Sequence, residues 1–167
     1  KLQQDERETR IVELGDTVEK MAHNHAVERG LTEGFLGSGS EQARAKVLEQ
    51  RQKENASVDA LRQLANQDWP DSLNIQHQLS NLFTFLDNKQ TIQQQVDRRE
   101  GRKAFGYYSK VNRMALDTAN TLVLNIANSD VSNTIAHALT YAWLKERLGQ
   151  LRGKINGVLA SQAITPL

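Results

Sequence analysis

The sequence predicts an all-α protein: an antiparallel helical bundle of four long helices plus a short connecting helix. Leu, Ala, Gln, Asn and Arg dominate the composition, residues that favour helix over strand, and only 2 prolines occur in 167 residues. Apolar residues recur at three- and four-residue intervals along most of the chain, the spacing of helices that bury one face. No stretch alternates with period two over a useful length, so strands are not expected.

The breakers place the elements. They cluster at GSGS (Gly37–Ser40), QDWPDS (Gln67–Ser72) and ANSDVS (Ala127–Ser132), with a softer irregularity in LDNK near Asp87. The helices between them are expected at about Gln4–Leu36, Glu41–Asn66, Ser72–Leu86, Lys89–Ala127 and Val131–Ser161. In the first, Ile11, Leu14, Val18 and Met21 form a seam that continues through His25, Glu28 and Thr32 to Phe35. Ser38, three residues before Glu41, fits a capping box for the second helix. That helix carries Val47, Arg51, Glu54, Val58, Leu61 and Ala65 on one row. In the fourth the row is Tyr108, Val111, Ala115, Thr118 and Leu122. The last offers Asp130 and Ser132 as caps and Leu144, Leu148, Leu151, Ile155 and Val158 as its seam.

Composition narrows the function. The chain has 21 basic and 20 acidic residues, a net charge of +1, so nothing pulls it towards nucleic acid. The basic DRREGRK run (Asp97–Lys103) is interrupted by Asp97 and Glu100 and reads as a solvated face. With 0 cysteines, disulfide and thiolate chemistry are excluded. No run reaches the ~18 apolar residues of a membrane span. The chain begins at Lys1 without a signal-peptide pattern, and is expected to be one helical domain over residues 1–167, excised from a larger membrane-anchored protein. His23 and His25 lie two apart, on different helix faces, so no metal site is expected. No nucleophile with its base, no phosphate loop and no nicotinamide fingerprint is present, so neither catalysis nor a cofactor is expected.

Two seams turn polar at matching places. If the first two helices fold back at Gly39, Arg29 and Arg51 both lie ~15 Å below the turn. His25, Glu28, Arg29, Thr32, Arg51 and Glu54 then form one polar layer in an apolar bundle. Buried charge is costly unless paired or bound, so the layer is either a salt-bridge network or the seat of an occupant. Arg29 could pair with Glu28 or Glu54, and Arg152 with Glu146.

A duplicated pattern adds to this. AVERGLTEGFLGS (Ala26–Ser38) and GQLRGKINGVLAS (Gly149–Ser161) align without a gap, placing Arg29 on Arg152, Gly30 on Gly153 and Gly34 on Gly157. Each mid-helix glycine costs about 1 kcal/mol relative to alanine, so the two stripes need a compensating gain. Close helix packing, within the bundle or against a second copy in a homodimer, is one such gain. Room for a small ligand beside each guanidinium is another, since the fork of donors suits planar oxyanions as well as carboxylates.

ERGLTEGFLGSGS, LEQRQKENASVDALRQL, GYYSKVN and KERLGQLRGKINGVLA follow, in order, a pattern that resembles the nitrate- and nitrite-sensing (NIT) domains, over roughly Ile11 to Pro166. The resemblance implies an all-helical, extracytoplasmic sensor of nitrate or nitrite in a bacterial inner-membrane protein, a chemoreceptor or sensor kinase. It implies an anion site on arginines, carried over to Arg29 and Arg152, with Arg51 matching a recurrent family arginine and Gly30 and Gly153 beside the site. Family domains continue past the KE-x-x-G motif, so part of the C-terminal region is expected to be missing here. The alternatives are a dimerisation or protein-interaction bundle, or a sensor for another ligand such as an amino acid or dicarboxylate.

Overall fold

The computed structural model describes residues 2–69, 71–124, 142 and 146. These residues are helical and contain no strand: α1 (Leu2–Ser38), α2 (Glu41–Ala65), a 3-10 turn (Asp71–Leu73), α3 (Gln76–Leu86), α4 (Lys89–Asp97) and α5 (Ala104–Leu124). α1 packs along α2 and α5, and α5 also meets α3 and α4. The direction of each arm follows from contacts at the two ends. Arg10 of α1 stacks 4.7 Å over the Trp69 ring and donates to the Asp68 carbonyl at 3.1 Å. At the other end Arg99 donates to the Leu36 carbonyl at 3.0 Å. Thus α1 rises, α2 descends, α3 and α4 rise as one arm, and α5 descends.

The expected seams of α1, α2 and α5 are buried. Ile11, Leu14, Val18, Met21 and Phe35 of α1 meet Val47, Val58 and Leu61 of α2 and Tyr108, Val111, Ala115 and Leu122 of α5 in one apolar core. α1 stops because Gly39 takes φ +63°, a left-handed conformation that suits glycine, and returns its N–H to the Phe35 carbonyl at 2.7 Å. Ser40, not Ser38, then caps α2, accepting the Ala43 N–H at 3.1 Å. The expected capping box was placed two residues early because α1 runs through Ser38.

Two further expectations are corrected. The third helix starts at Gln76, not Ser72. Asn74 is left-handed at φ 53°, and this kink lets Leu73 and Ile75 both point into the core. The expected single helix Lys89–Ala127 is broken at residues 98–103. Arg99 adopts φ 59° and Gly101 lies against Leu36, so DRREGRK is a connection and not a helical face. The apolar row lapses between Val96 and Ala104, and nothing buried holds a helix together there. The short connecting helix is therefore the first half of an arm that α4 completes. Arg99 does more than meet solvent, because its guanidinium also covers Gly39 at the α1–α2 turn. A Cβ on Gly101 would strike the Leu36 side chain, so Gly101→Ala is expected to cost about 1–3 kcal/mol by overpacking, read as a lower melting temperature. An unchanged melting temperature would show that Leu36 yields freely.

The expected helix Val131–Ser161, the ANSDVS turn, Arg152, Gly153 and the second glycine stripe lie outside the described residues. No helix among the described residues is long and apolar enough to cross a membrane.

Candidate functional site

The polar layer expected from the seams exists. His25, Glu28, Arg29, Thr32, Arg51 and Glu54 are all buried, between the apolar floor at Met21 and Leu61 and the lid at Phe35. Helical spacing puts them there, because His25, Glu28, Arg29 and Thr32 continue the face that Val18 and Met21 begin. α4 and α5 close the layer with Lys89, Gln93, Asn112, Tyr107 and Tyr108.

The layer divides into two groups. In the first, Arg29 is fully buried, and its Nη1 donates to Glu146 Oε1 at 2.5 Å and to Ser109 Oγ at 3.4 Å. Its Nη2 reaches the Glu146 carbonyl at 3.4 Å, and the guanidinium carbon lies 5.5 Å from the centre of the Phe105 ring. Asn112 Nδ2 donates to the other Glu146 oxygen at 2.5 Å. Arg29 therefore pairs with neither Glu28 nor Glu54. Glu146, weighed in the sequence as a partner for Arg152, pairs with Arg29, and Arg152 lies outside the described residues.

In the second group Arg51 Nη1 donates to Asp97 Oδ1 at 2.8 Å and Nη2 to the Gln93 carbonyl at 3.3 Å, while its Nε stays 4.0 Å from Glu28 Oε1. Gln93 Nε2 donates to the same Glu28 oxygen at 3.3 Å. Lys89 meets Glu54, and Glu54 also lies 3.1 Å from His25 Nδ1. Although that contact has ion-pair geometry, burial governs His25 and lowers its pKa to about 3, against the pull of the Met21 carbonyl and with the help of the Lys89 charge. Glu54 is already answered by Lys89, so the ring stays neutral. Burial likewise lowers Lys89 to about 8 and raises Glu28 above the usual carboxylate range. Glu28 is opposed in turn by the neighbouring Tyr108 hydroxyl, Lys89, Arg51 and Gln93. No hydrogen bond of sound geometry joins Tyr108 to Glu28, because both the hydroxyl and Glu28 Oε2 lack partners. Glu33, half-buried one turn above Arg29, is also raised by burial.

The network is incomplete. Buried Arg29 Nε, Arg51 Nε, Thr32 Oγ1, His25 Nε2, Asn112 Oδ1 and the two tyrosine hydroxyls have no hydrogen-bond partner among the described residues. Native interiors satisfy nearly all such atoms, so the partners of these must come from outside the described residues, from the rest of the chain, from water or from a ligand. The cations Arg29, Arg51 and Lys89 face the carboxylates Glu28, Glu54, Asp97 and Glu146. Among the described residues no group of three metal-binding side chains converges.

Gly30 lies elsewhere. With Leu31, Gly34, Ser40, Gln42, Ala43 and Lys46 it lines an open groove of about 250 Å³ between α1 and α2, whose walls do not include Arg29. A Cβ added at Gly30 or Gly34 would meet nothing within 4 Å among the described residues. Among the described residues, the α1 stripe makes no close helix contact there.

The family profile described as nitrate and nitrite sensing matches residues 20–167. The chain belongs to the nitrate- and nitrite-sensing family. The match begins at Lys20, one turn before His25, and so takes in the whole polar layer. Family members are sensor domains. Neither the curated proteins nor the solved structures contain a match to the chain.

Sequence reasoning found the arginines and missed most of their partners. Asn112, Tyr108 and Glu146 stand inside GYYSKVN and KERLGQLR, the stretches that carry the family pattern, and that was the available signal. Lys89, Gln93 and Asp97 gave none, since each is an ordinary polar residue until α4 folds over α2.

Proposed function

We propose that the chain is the extracytoplasmic sensor domain of a bacterial signal-transduction protein, a chemoreceptor or sensor kinase anchored in the inner membrane. It binds nitrate or nitrite through arginines of the buried layer. Arg29 is the principal ligand-binding residue, Arg152 supplies a second guanidinium with Gly153 beside it, and Arg51, held by Asp97, adds positive charge to the layer without touching the ligand. The domain works as a homodimer, and its ligand is the small anion rather than nucleic acid.

The observation that carries this reading is Arg29 itself. It is a fully buried guanidinium with its Nε unpartnered among the described residues, in a chain of the nitrate- and nitrite-sensing family. A planar anion can accept from such a fork with two oxygens at once. The anion signals only by favouring one arrangement of the bundle over another.

Melting curves against nitrate and nitrite test the proposal, with chloride holding ionic strength constant. The melting temperature is expected to rise with either oxyanion by mass action. Arg29→Lys keeps a cation for Glu146 but loses the fork, and is expected to weaken binding at least tenfold. A melting temperature indifferent to both anions up to tens of millimolar would remove the anion from the function.

A further inference from the structure

We infer that the Glu146 carboxylate is an internal stand-in for the ligand: an incoming oxyanion competes with it for Arg29 and Asn112, and binding expels Glu146 from the layer. The inference rests on the oxyanion reading above and specifies how that site works.

A side-chain carboxylate, nitrate and nitrite share one chemistry. Each is a planar centre whose oxygens accept hydrogen bonds in the plane. In the structure the two Glu146 oxygens are shared between two donors on different helices, Arg29 Nη1 of α1 and Asn112 Nδ2 of α5, both at 2.5 Å. Ser109 Oγ, 3.4 Å from the same guanidinium nitrogen, helps fix its orientation. This cradle already recognises a planar oxyanion. Arg29 Nε, buried and unpartnered, offers one further donor to an anion with a third oxygen, which a carboxylate cannot use.

Electrostatics makes the two occupants exclusive. Glu146 is 5% exposed and Arg29 wholly buried, so their charges are little screened. A second anion beside the pair would set two negative charges on the Arg29 guanidinium in a medium where each unpaired charge is costly. Arg51 cannot make up the difference, being held by Asp97 and the Gln93 carbonyl. The anion must therefore replace the carboxylate. Glu146 lies beyond α5 in sequence, so its release gives up an ion pair between distant parts of the chain and makes occupancy felt away from the anion.

Calorimetric titration with sodium nitrate tests this on the wild type, Glu146→Gln and Asn112→Leu. Glutamine keeps the shape of the side chain and removes the competing charge, so Glu146→Gln is expected to bind nitrate about tenfold or more tightly than wild type. Asn112→Leu removes a cradle donor and is expected to bind at least tenfold more weakly. Equal or weaker nitrate binding by a folded Glu146→Gln, with the wild type binding, would overturn the inference and leave the sensing function standing. Absence of binding by all three proteins would overturn both. Should Glu146→Gln fail to fold in plain buffer, nitrate or acetate is expected to restore folding by refilling the cradle, and failure of both anions to do so would count against the inference. Asn112→Leu at wild-type affinity would overturn it independently.

Discussion

Arg29→Met is expected to cost about 3–5 kcal/mol of stability, among the largest effects of any single substitution in this chain. Glu146 would keep its buried position at the Asn112 amide and lose the Arg29 guanidinium. For a chain of this size the loss corresponds to a fall in melting temperature on the order of 10 °C. The same logic predicts a rescue. In the double variant Arg29→Met with Glu146→Leu both members of the pair are gone, and most of the lost stability is expected to return, because a buried ion pair replaced by apolar groups of similar volume is often close to neutral. Urea unfolding of the wild type, the two single variants and the double variant gives the coupling energy directly. Additive losses would show that Arg29 and Glu146 do not act as a pair. Arg51 provides the contrast. Its partner Asp97 has a side chain 41% exposed and can turn to water when the guanidinium is removed, so truncation at Arg51 is expected to cost less.

The two arginines illustrate what the sequence makes legible. Helical periodicity places Arg29 and Arg51 on core-facing rows, and the turn at Gly39 sets them at one height. The existence of a buried polar layer follows from those two facts alone. Which carboxylate answers which guanidinium does not follow, because it depends on arms whose boundaries are decided by weaker signals. Lys89 reaches Glu54, and Asp97 reaches Arg51, only because α4 ends before Arg98 and α3 and α4 rise together as one arm. That ending rests on Arg99 in a left-handed conformation and on Gly101 closing against Leu36. Neither is visible in a run of charged residues that would serve equally well as an exposed helix face. The family pattern points to Asn112 and Glu146 as stretches of chain, and the fold turns them into a cradle. The same fold separates Gly30 from that cradle, although the two are neighbours in sequence, because adjacent positions on a helix face ~100° apart.

The second large effect expected is a dependence of stability on pH that His25 controls. The ring is fully buried, with Tyr107 and Tyr108 at 6.2 and 6.0 Å, and its pKa is lowered from 6.5 to about 3. Between those values the unfolded chain binds a proton that the folded protein refuses. Stability is then present in full above pH 6.5 and is lost as pH falls towards 3, by up to about 1.4 kcal/mol per pH unit. Glu28 acts with the opposite sign. Its raised pKa means the fold keeps a proton that the unfolded chain releases above about 4.5, so its contribution declines as pH rises through the raised value. The two partly cancel between pH 4.5 and 6.5 in any measurement on the wild type. Comparison with His25→Asn separates them. Asparagine can still donate to the Met21 carbonyl and does not titrate, and the small cavity it leaves costs the same at every pH. The wild type is therefore expected to be the more stable at pH 7, and its advantage to shrink as urea unfolding is repeated down to pH 4. If His25 were instead an ion pair with Glu54, its pKa would be raised by that partner, and the advantage would widen with acid. The slope of that difference decides whether the heart of the layer holds a neutral ring or a fourth cation beside Arg29, Arg51 and Lys89, and with it how much positive charge the layer can offer an anion.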